Sequence, residues 1–383
     1  MAQKKSMLDT RNLVNPEELS SIIKLQLKTI WSDPKAAKTV PPLLIWGSPG
    51  CGKSSIVSGV CEELGIEFLD QRLAQMEPCD IKGLPVPNKE DKVMNWYVNG
   101  SWPRNPNGKG IIFLDEITAA DRSIQVAAYE LVLDRRLGKL YNVPDGYLIV
   151  AAGNTVTDHA VATTMSSALA NRFMHVELQA DQENWLSWAR HNDIHPSVIG
   201  FIQYKPDALF KMEDENLERG WPSPRAWERV SRMCHDCPSK DLLRKMVYGL
   251  VGNGYGAEFM AFHELNAEFD NILDIMRDPN SKIKIPERAD QKFAMCSAMV
   301  YLVWRGKDEK DAAARLTGFY RICIELSSDF ASMALLAAME GKDKNLNKQY
   351  ADALISHPLF PKWRAKHKDA LQKHMKKFSS LSS

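Results

Sequence analysis

The segment Gly47-Ser48-Pro49-Gly50-Cys51-Gly52-Lys53-Ser54 constrains this chain more than any other. It has the spacing G-x-x-x-x-G-K-[ST] and stands between two segments of different periodicity. Leu43-Leu44-Ile45-Trp46 before it is a short apolar run of the buried-strand kind, and residues Ser54 to Leu64 after it read as a helix. Glycines let such a turn curl so that its N–H groups converge on an anion, and the helix N-terminus adds favourable potential. The loop is therefore built to cradle phosphate. Lys53 is placed to reach the β- and γ-phosphates of a nucleotide, and the Ser54 hydroxyl to ligate Mg2+. The expected nucleotide-binding residues are Gly47, Ser48, Pro49, Gly50, Cys51, Gly52, Lys53, Ser54 and Ser55. A chance glycine-rich turn is the alternative, and the flanking strand and helix argue against it.

Gly110-Ile111-Ile112-Phe113-Leu114-Asp115-Glu116 supplies the second half of such a site. Its apolar residues form a buried strand that ends in two carboxylates. Asp115 can hold Mg2+ directly or through water, and Glu116 can orient and deprotonate an attacking water. The same pair could instead be an acidic cap before a helix. A third apolar strand, Tyr147 to Ala152, ends at Gly153-Asn154-Thr155. In a parallel sheet, ligand chemistry collects at the carboxyl ends of the strands. Asn154 is thus expected at the edge that carries Lys53 and Asp115, where its amide can hold the attacking water or the γ-phosphate. A turn asparagine is the alternative.

This set of motifs resembles the AAA+ ATPases. Within them it is most similar to the MoxR type, relatives of the magnesium-chelatase ATPase subunit. Gln71 to Pro85 is similar to the MoxR stretch after the second core strand. Leu131-Val132-Leu133-Asp134-Arg135-Arg136 ends a helix, and Leu137 to Tyr147 can form the hairpin that marks the wider clade. The resemblance covers about residues 15–235. It implies ATP and Mg2+ as ligands, a homo-oligomeric ring (a hexamer), and a separate protein partner, of the kind that carries a von Willebrand A domain. It also implies two arginine roles. Ser167 to Phe173 resembles the segment with the arginine finger, which makes Arg172 a residue that would act in trans on a neighbour's nucleotide. Arg122, Arg135 and Arg136 are rivals for that role, and a solvated surface arginine is the bland reading. Trp221-Pro222-Ser223-Pro224-Arg225-Ala226-Trp227 resembles the start of a lid helix, in which Arg225 would report nucleotide state. The alternative for Arg225 is a capping or salt-bridging arginine.

The rest of the chain carries weaker signals. Its 383 residues, 44% hydrophobic and 25% charged, fit an ordinary globular protein of about two domains. The formal net charge of +1 gives no global argument for nucleic acid or membrane. Seven cysteines without framework spacing, no apolar signal core after Met1 and no apolar run of bilayer length lead to the expectation of a cytoplasmic protein. The expected organisation is a loose segment 1–14, an α/β unit over 15–180, a helical lid over 181–240, and a helical region over 241–383 with a basic tail. The fold class is thus α/β, a P-loop parallel sheet with a helical lid and an additional helical C-terminal region. Core strands are expected near 43–46, 67–72, 110–114, 147–152 and 174–178. Residues 77–109 read as a Pro- and Gly-rich interruption in which Trp96, Tyr97 or Trp102 either touches a substrate or pins the insertion. Cys234-His235-Asp236-Cys237 is a single C-x-x-C that lacks further ligands, and His263-Glu264 lacks a second histidine. The basic run from Lys362 to Lys377 is either a solvated helix face or a contact for nucleic acid. The resulting expectation is an ATP-hydrolysing ring that remodels a partner. The rivals are a nucleic-acid motor or loader, and a nucleotide-gated scaffold with little turnover.

Overall fold

The computed structural model describes residues 12–154, 165–212, 220–267, 271–341 and 344–368. The chain divides into two compact units, Met1–Asp181 and Gln182–Ser383.

The first unit is a parallel sheet with helices on both faces. Its elements are β1 (Leu13–Val14), α1 (Pro16–Ser32), β2 (Leu43–Trp46), α2 (Lys53–Leu64), β3 (Glu67–Arg72), α3 (Pro78–Lys82), β4 (Leu84–Asn88) and β5 (Val93–Tyr97). There follow β6 (Gly110–Asp115), α4 (Arg122–Asp134), β7 (Arg136–Leu137), β8 (Tyr141–Asn142), β9 (Tyr147–Gly153), α5 (Ser167–Ala170) and β10 (Met174–Leu178). Six strands pair in the order β1-β10-β2-β9-β6-β3, every pairing parallel. The chain runs from β2 to the far edge at β3, returns through β6 and β9, and crosses β2 to reach β10. Strand β2 is therefore the place where the winding reverses, which is where open α/β sheets bind ligands.

Burial explains why the core strands read as unbroken apolar runs. Ile111 and Phe113 of β6 pack with Leu19, Ile23, Val57 and Val60 of α1 and α2. Ile112 and Leu114 point the other way, against Ile124, Ala127 and Leu131 of α4. With both faces covered, both sets of alternating residues must be apolar. Helix α1 starts where the sequence signals it: the Asn15 side chain accepts the Glu18 N–H, the Glu18 carboxylate accepts the Asn15 N–H, and Pro16 opens the first turn.

Two local expectations need correction. Residues 12–14 are not loose: β1 extends the sheet, with the Asn12 carbonyl accepting the Glu177 N–H at 2.8 Å and the Val14 carbonyl accepting the Gln179 N–H at 3.1 Å. Two residues give no periodicity to read; their strand exists because the edge of β10 offers partners. The interruption at 77–109 is not structureless either. It folds as α3 and the antiparallel hairpin β4–β5, closed by an Asn88 side chain that accepts the Glu90 N–H at 3.0 Å. Gly83 is required at its base: φ is +87°, and a Cβ there would lie 2.1 Å from the Tyr97 carbonyl oxygen. Its aromatic residues divide. Trp102 is buried in the core beside Tyr141, and its indole N–H donates to the Ile81 carbonyl at 3.2 Å. Trp96 and Tyr97 are 49% and 62% exposed. Trp102 thus pins the insertion, and Trp102→Ala should destabilise the first unit by about 3–5 kcal/mol in chemical denaturation, the usual cost of truncating a buried Trp.

The second unit is helical: α6 (Gln182–His191), α7 (Pro196–Tyr204), α8 (Pro224–Asp236), α9 (Lys240–Val251), α10 (Asn253–Ala267), α11 (Ile272–Arg277), α12 (Ala289–Val303), α13 (Glu309–Glu325), α14 (Ser328–Met339) and α15 (Lys344–Ile355). One core gathers around Phe201, Trp227, Val247 and Phe259, joining α9 and α10 to α6, α7 and α8. A second gathers around Met299, Phe319, Tyr320, Leu335 and Trp363. The glycine cluster after α9 stops one helix and starts the next: Gly252, at φ +79°, ends α9. Residues 360–368 are helical, with Trp363 and His367 buried and Lys362, Arg364, Lys366 and Lys368 exposed. The Lys366 ammonium donates to the Ile324 carbonyl; Lys373, Lys376 and Lys377 lie outside the described residues. No described helix is long and apolar enough to cross a membrane.

Candidate active site

The loop after β2 adopts the curl that phosphate binding needs. Gly50 and Gly52 take φ of +84° and +102°, a region that side-chain-bearing residues avoid. Gly47 is hemmed in, since a Cβ there would sit 3.0 Å from both Cys51 Sγ and the Leu178 carbonyl. Helix α2 begins at Lys53 with Gly52 as its N-cap, and no side chain caps it. A helix N-terminus left without such a cap is an anion site by construction. Cys51 is buried, Ser54 is half-buried and Ser55 is exposed.

Lys53 is buried, and its ammonium is held over the loop. Nζ donates to the carbonyls of Gly47 (2.5 Å) and Ser48 (3.3 Å) and to Asn154 Oδ1 (3.0 Å). The lysine and the asparagine are 101 residues apart in sequence and meet because β2 and β9 are adjacent and parallel. Asn154 is fixed in turn: its N–H donates to Thr118 Oγ1 at 3.1 Å. Thr118 is buried, and a Cβ on Gly153 would meet its methyl group at 2.7 Å. The sequence reading missed Thr118. Nothing in a lone threonine two positions after a Glu marks it, and its role comes from the approach of β9.

The carboxylates stand at the same edge. Asp115 ends β6, and its Oδ1 accepts the Glu116 N–H at 2.9 Å. Glu116 has φ +58°, a left-handed conformation that a glutamate adopts at a cost. The turn that holds it there is tied at both ends: the Glu116 carbonyl accepts the Ala119 and Ala120 N–H groups, and the Ile117 N–H donates to the Ala152 carbonyl at 3.0 Å. Next to Asp115 across the β3–β6 pairing lies Arg72, itself 3.6 Å from Asp70. Burial and the negative charge of Asp115 push the Asp70 carboxyl up, partly offset by Arg72. Ser54 and Asp115 offer oxygen donors, the set a hard divalent cation such as Mg2+ takes.

The arginines are placed differently. Arg172 is exposed in the turn between α5 and β10. Met174 at the start of β10 pairs with Leu43 at the start of β2, so Arg172 lies at the amino edge of the sheet. The P-loop lies at the carboxyl edge, one strand length or about 13 Å away at ~3.3 Å per residue. Of its rivals, Arg135 is half-buried and donates to the carbonyls of Pro144 (3.0 Å) and Tyr147 (2.7 Å), pinning the β7–β8 hairpin. Arg136 is paired with Glu130 and Asp134, both at 3.4 Å. Arg122 is exposed at the start of α4. Arg225 belongs to the second unit, exposed in the first turn of α8 beside the Ser223 cap.

The strand order, the curled loop and the acidic edge are those of an α/β P-loop domain of AAA+ fold. Residues 43–178, from the first residue of β2 to the last of β10, match the sequence model of the ATPase family associated with various cellular activities (AAA). Among relatives, the chain is 25% identical over 178 residues to midasin of Giardia intestinalis, covering 44% of this chain and 4% of midasin. It is 27% identical over 127 residues to the Holliday junction branch migration complex subunit RuvB of Prochlorococcus marinus (strain NATL2A), covering 33% of this chain and 30% of RuvB. The chain thus spans less than a third of either curated relative's length. Among solved structures, a RuvB mutant of Thermotoga maritima is 14% identical with a TM-score of 0.36, over 67% of this chain and 75% of that one. NtrX from Brucella abortus in complex with ADP is 15% identical with a TM-score of 0.34, over 94% of this chain and 68% of that one.

Proposed function

We propose that this chain is an AAA+ ATPase of MoxR type that works as a homo-oligomeric ring, a hexamer by analogy, and remodels a partner protein or complex. The observation that carries the reading is the convergence of Lys53, Asn154, Asp115 and Glu116 at the carboxyl edge of three adjacent strands. Lys53 binds the β- and γ-phosphates, exchanging its contact with Asn154 for theirs. Ser54 and Asp115 would hold Mg2+, which would supply neutralising charge at those phosphates. Glu116 takes the proton of the attacking water, and Asn154, once released from Lys53, orients that water or the γ-phosphate. Arg172 lies at the wrong edge of the sheet for its own nucleotide, which supports action on a neighbour's. Arg225 is the proposed reporter of nucleotide state to the helical unit.

The exposed β4–β5 hairpin, with Val86 and Tyr97 on one face and Met94 and Trp96 on the other, is the proposed contact for the remodelled partner. The partner is a separate protein chain, for which a von Willebrand A domain is the family's precedent. The kinship with RuvB keeps a nucleic-acid motor as the second reading. Mg-ATP hydrolysis measured with and without DNA separates the two. Turnover that rises with protein concentration and ignores DNA supports the remodelling ring; strong stimulation by DNA moves the function to the second reading. In the same assay, Trp96→Ala with Tyr97→Ala should leave DNA-free turnover within about twofold, as befits exposed positions. A collapse of that basal rate would place the hairpin in the hydrolysis site instead of at the partner.

A further inference from the structure

The C-x-x-C after Val230 and the His263-Glu264 pair are each too poor in ligands to hold a metal by sequence. The fold changes that. His195 is the N-cap of α7, Cys234 lies in the last turns of α8, and His263 lies on α10. One ring nitrogen of each histidine and the Cys234 sulfur lie within 4.8 Å of one another. All three residues are half-buried, and all belong to the second unit. We propose that His195, Cys234 and His263 form a zinc site that ties α7, α8 and α10 together.

The donor set selects the metal. Two imidazoles and one thiolate suit Zn2+, which takes nitrogen and sulfur in tetrahedral array, and do not suit Mg2+ or Ca2+. Metal–nitrogen and metal–sulfur bonds of about 2.0–2.3 Å put donors within about 4 Å of one another, so a small contraction from the observed spacing closes the site. Three protein ligands leave the fourth position for water or for His235, whose ring centroid is 4.9 Å from that of His195. Zinc ligands bind deprotonated, so each imidazole would bind as the neutral ring, and binding at Cys234 would form the Zn–S bond while displacing the thiol proton to solvent.

The second sphere is built as well. The Ser197 side chain is 2.9 Å from His263 Nδ1 and orients that ring. His195 Nδ1 accepts the Ser197 N–H at 3.1 Å. Ligation through either ring nitrogen gives up that cap: through Nδ1 because its lone pair is taken, through Nε2 because the ring proton then sits on Nδ1. One backbone hydrogen bond is thus exchanged for a metal–nitrogen bond.

The site is independent of the nucleotide chemistry, and its test needs no ATP. The full chain, stripped with chelator, is titrated with Co2+ as a spectroscopic stand-in and then with Zn2+. The expected result is one equivalent of Co2+, a thiolate-to-cobalt charge-transfer band, displacement by Zn2+, and a higher unfolding temperature with Zn2+ bound. Cys234→Ser should abolish the band. His263→Gln and His195→Asn should each weaken Zn2+ by more than about 10-fold, the lower bound set by losses in the outer sphere alone. Asn is itself a strong N-cap, so His195→Asn keeps α7 intact and separates lost ligation from lost folding. A missing band, or a band that survives Cys234→Ser because Cys79 or Cys237 carries it, overturns the proposal.

Discussion

Glu116→Gln should lower the turnover number for ATP by about 10²–10⁴-fold, the range that general-base catalysis supplies. The amide is nearly isosteric but cannot accept a proton from water, so the loss falls on the chemical step. Nucleotide affinity should be retained, because Lys53, Ser54 and the loop N–H groups are untouched. The variant is expected to hold ATP without cleaving it, measurable as bound ATP recovered intact after isolation of the complex. The left-handed backbone at Glu116 (φ +58°) adds a control. Glu116→Gly relieves the conformational cost while also removing the base, so it should be inactive yet no less stable. Unimpaired hydrolysis by Glu116→Gln would transfer the base role to another group.

Arg172→Ala should lower turnover by about 10³–10⁵-fold while leaving nucleotide binding by the isolated chain unchanged, the signature of an arginine finger. Its decisive readout is complementation. Arg172→Ala chains carry an intact Glu116, and Glu116→Gln chains carry an intact Arg172. Mixing the two inactive proteins creates some interfaces that hold both residues, and turnover should reappear in proportion to those interfaces. A mixture as inactive as its parts would mean that Arg172 acts within its own chain or only as a structural contact. Arg135 cannot replace it without giving up the carbonyls of Pro144 and Tyr147.

The core of this fold was legible because its strands are covered on both faces. Runs such as Leu43–Trp46 and Gly110–Asp115 carry their signal in four to six consecutive residues, and the P-loop punctuates the first of them. What stayed hidden depends on neighbours instead of on local pattern. Leu13–Val14 is a strand only because β10 has an open edge. The β4–β5 hairpin is exposed on both strands, so it offers no burial alternation, and Pro85 and Pro87 lower the strand propensity of β4. Thr118 and the grouping of His195, Cys234 and His263 are contacts between elements far apart in sequence. The fate of Trp102 against that of Trp96 and Tyr97 turned on packing with Tyr141, which no local window contains.

The opposite placement of Lys53 and Arg172 on one sheet has a consequence for assembly. On the reading of Arg172 as a finger, each copy presents a socket at one edge and a plug at the other. Two copies related by a two-fold axis would bring like edges together and complete neither pocket, so contacts must run head to tail. An open row of n copies then has n − 1 complete sites, with an empty socket at one end and an unused plug at the other, and only closure into a ring removes both. The geometry of a single domain thus favours a closed assembly over a symmetric pair, since each added copy completes one more pocket and the last copy completes two.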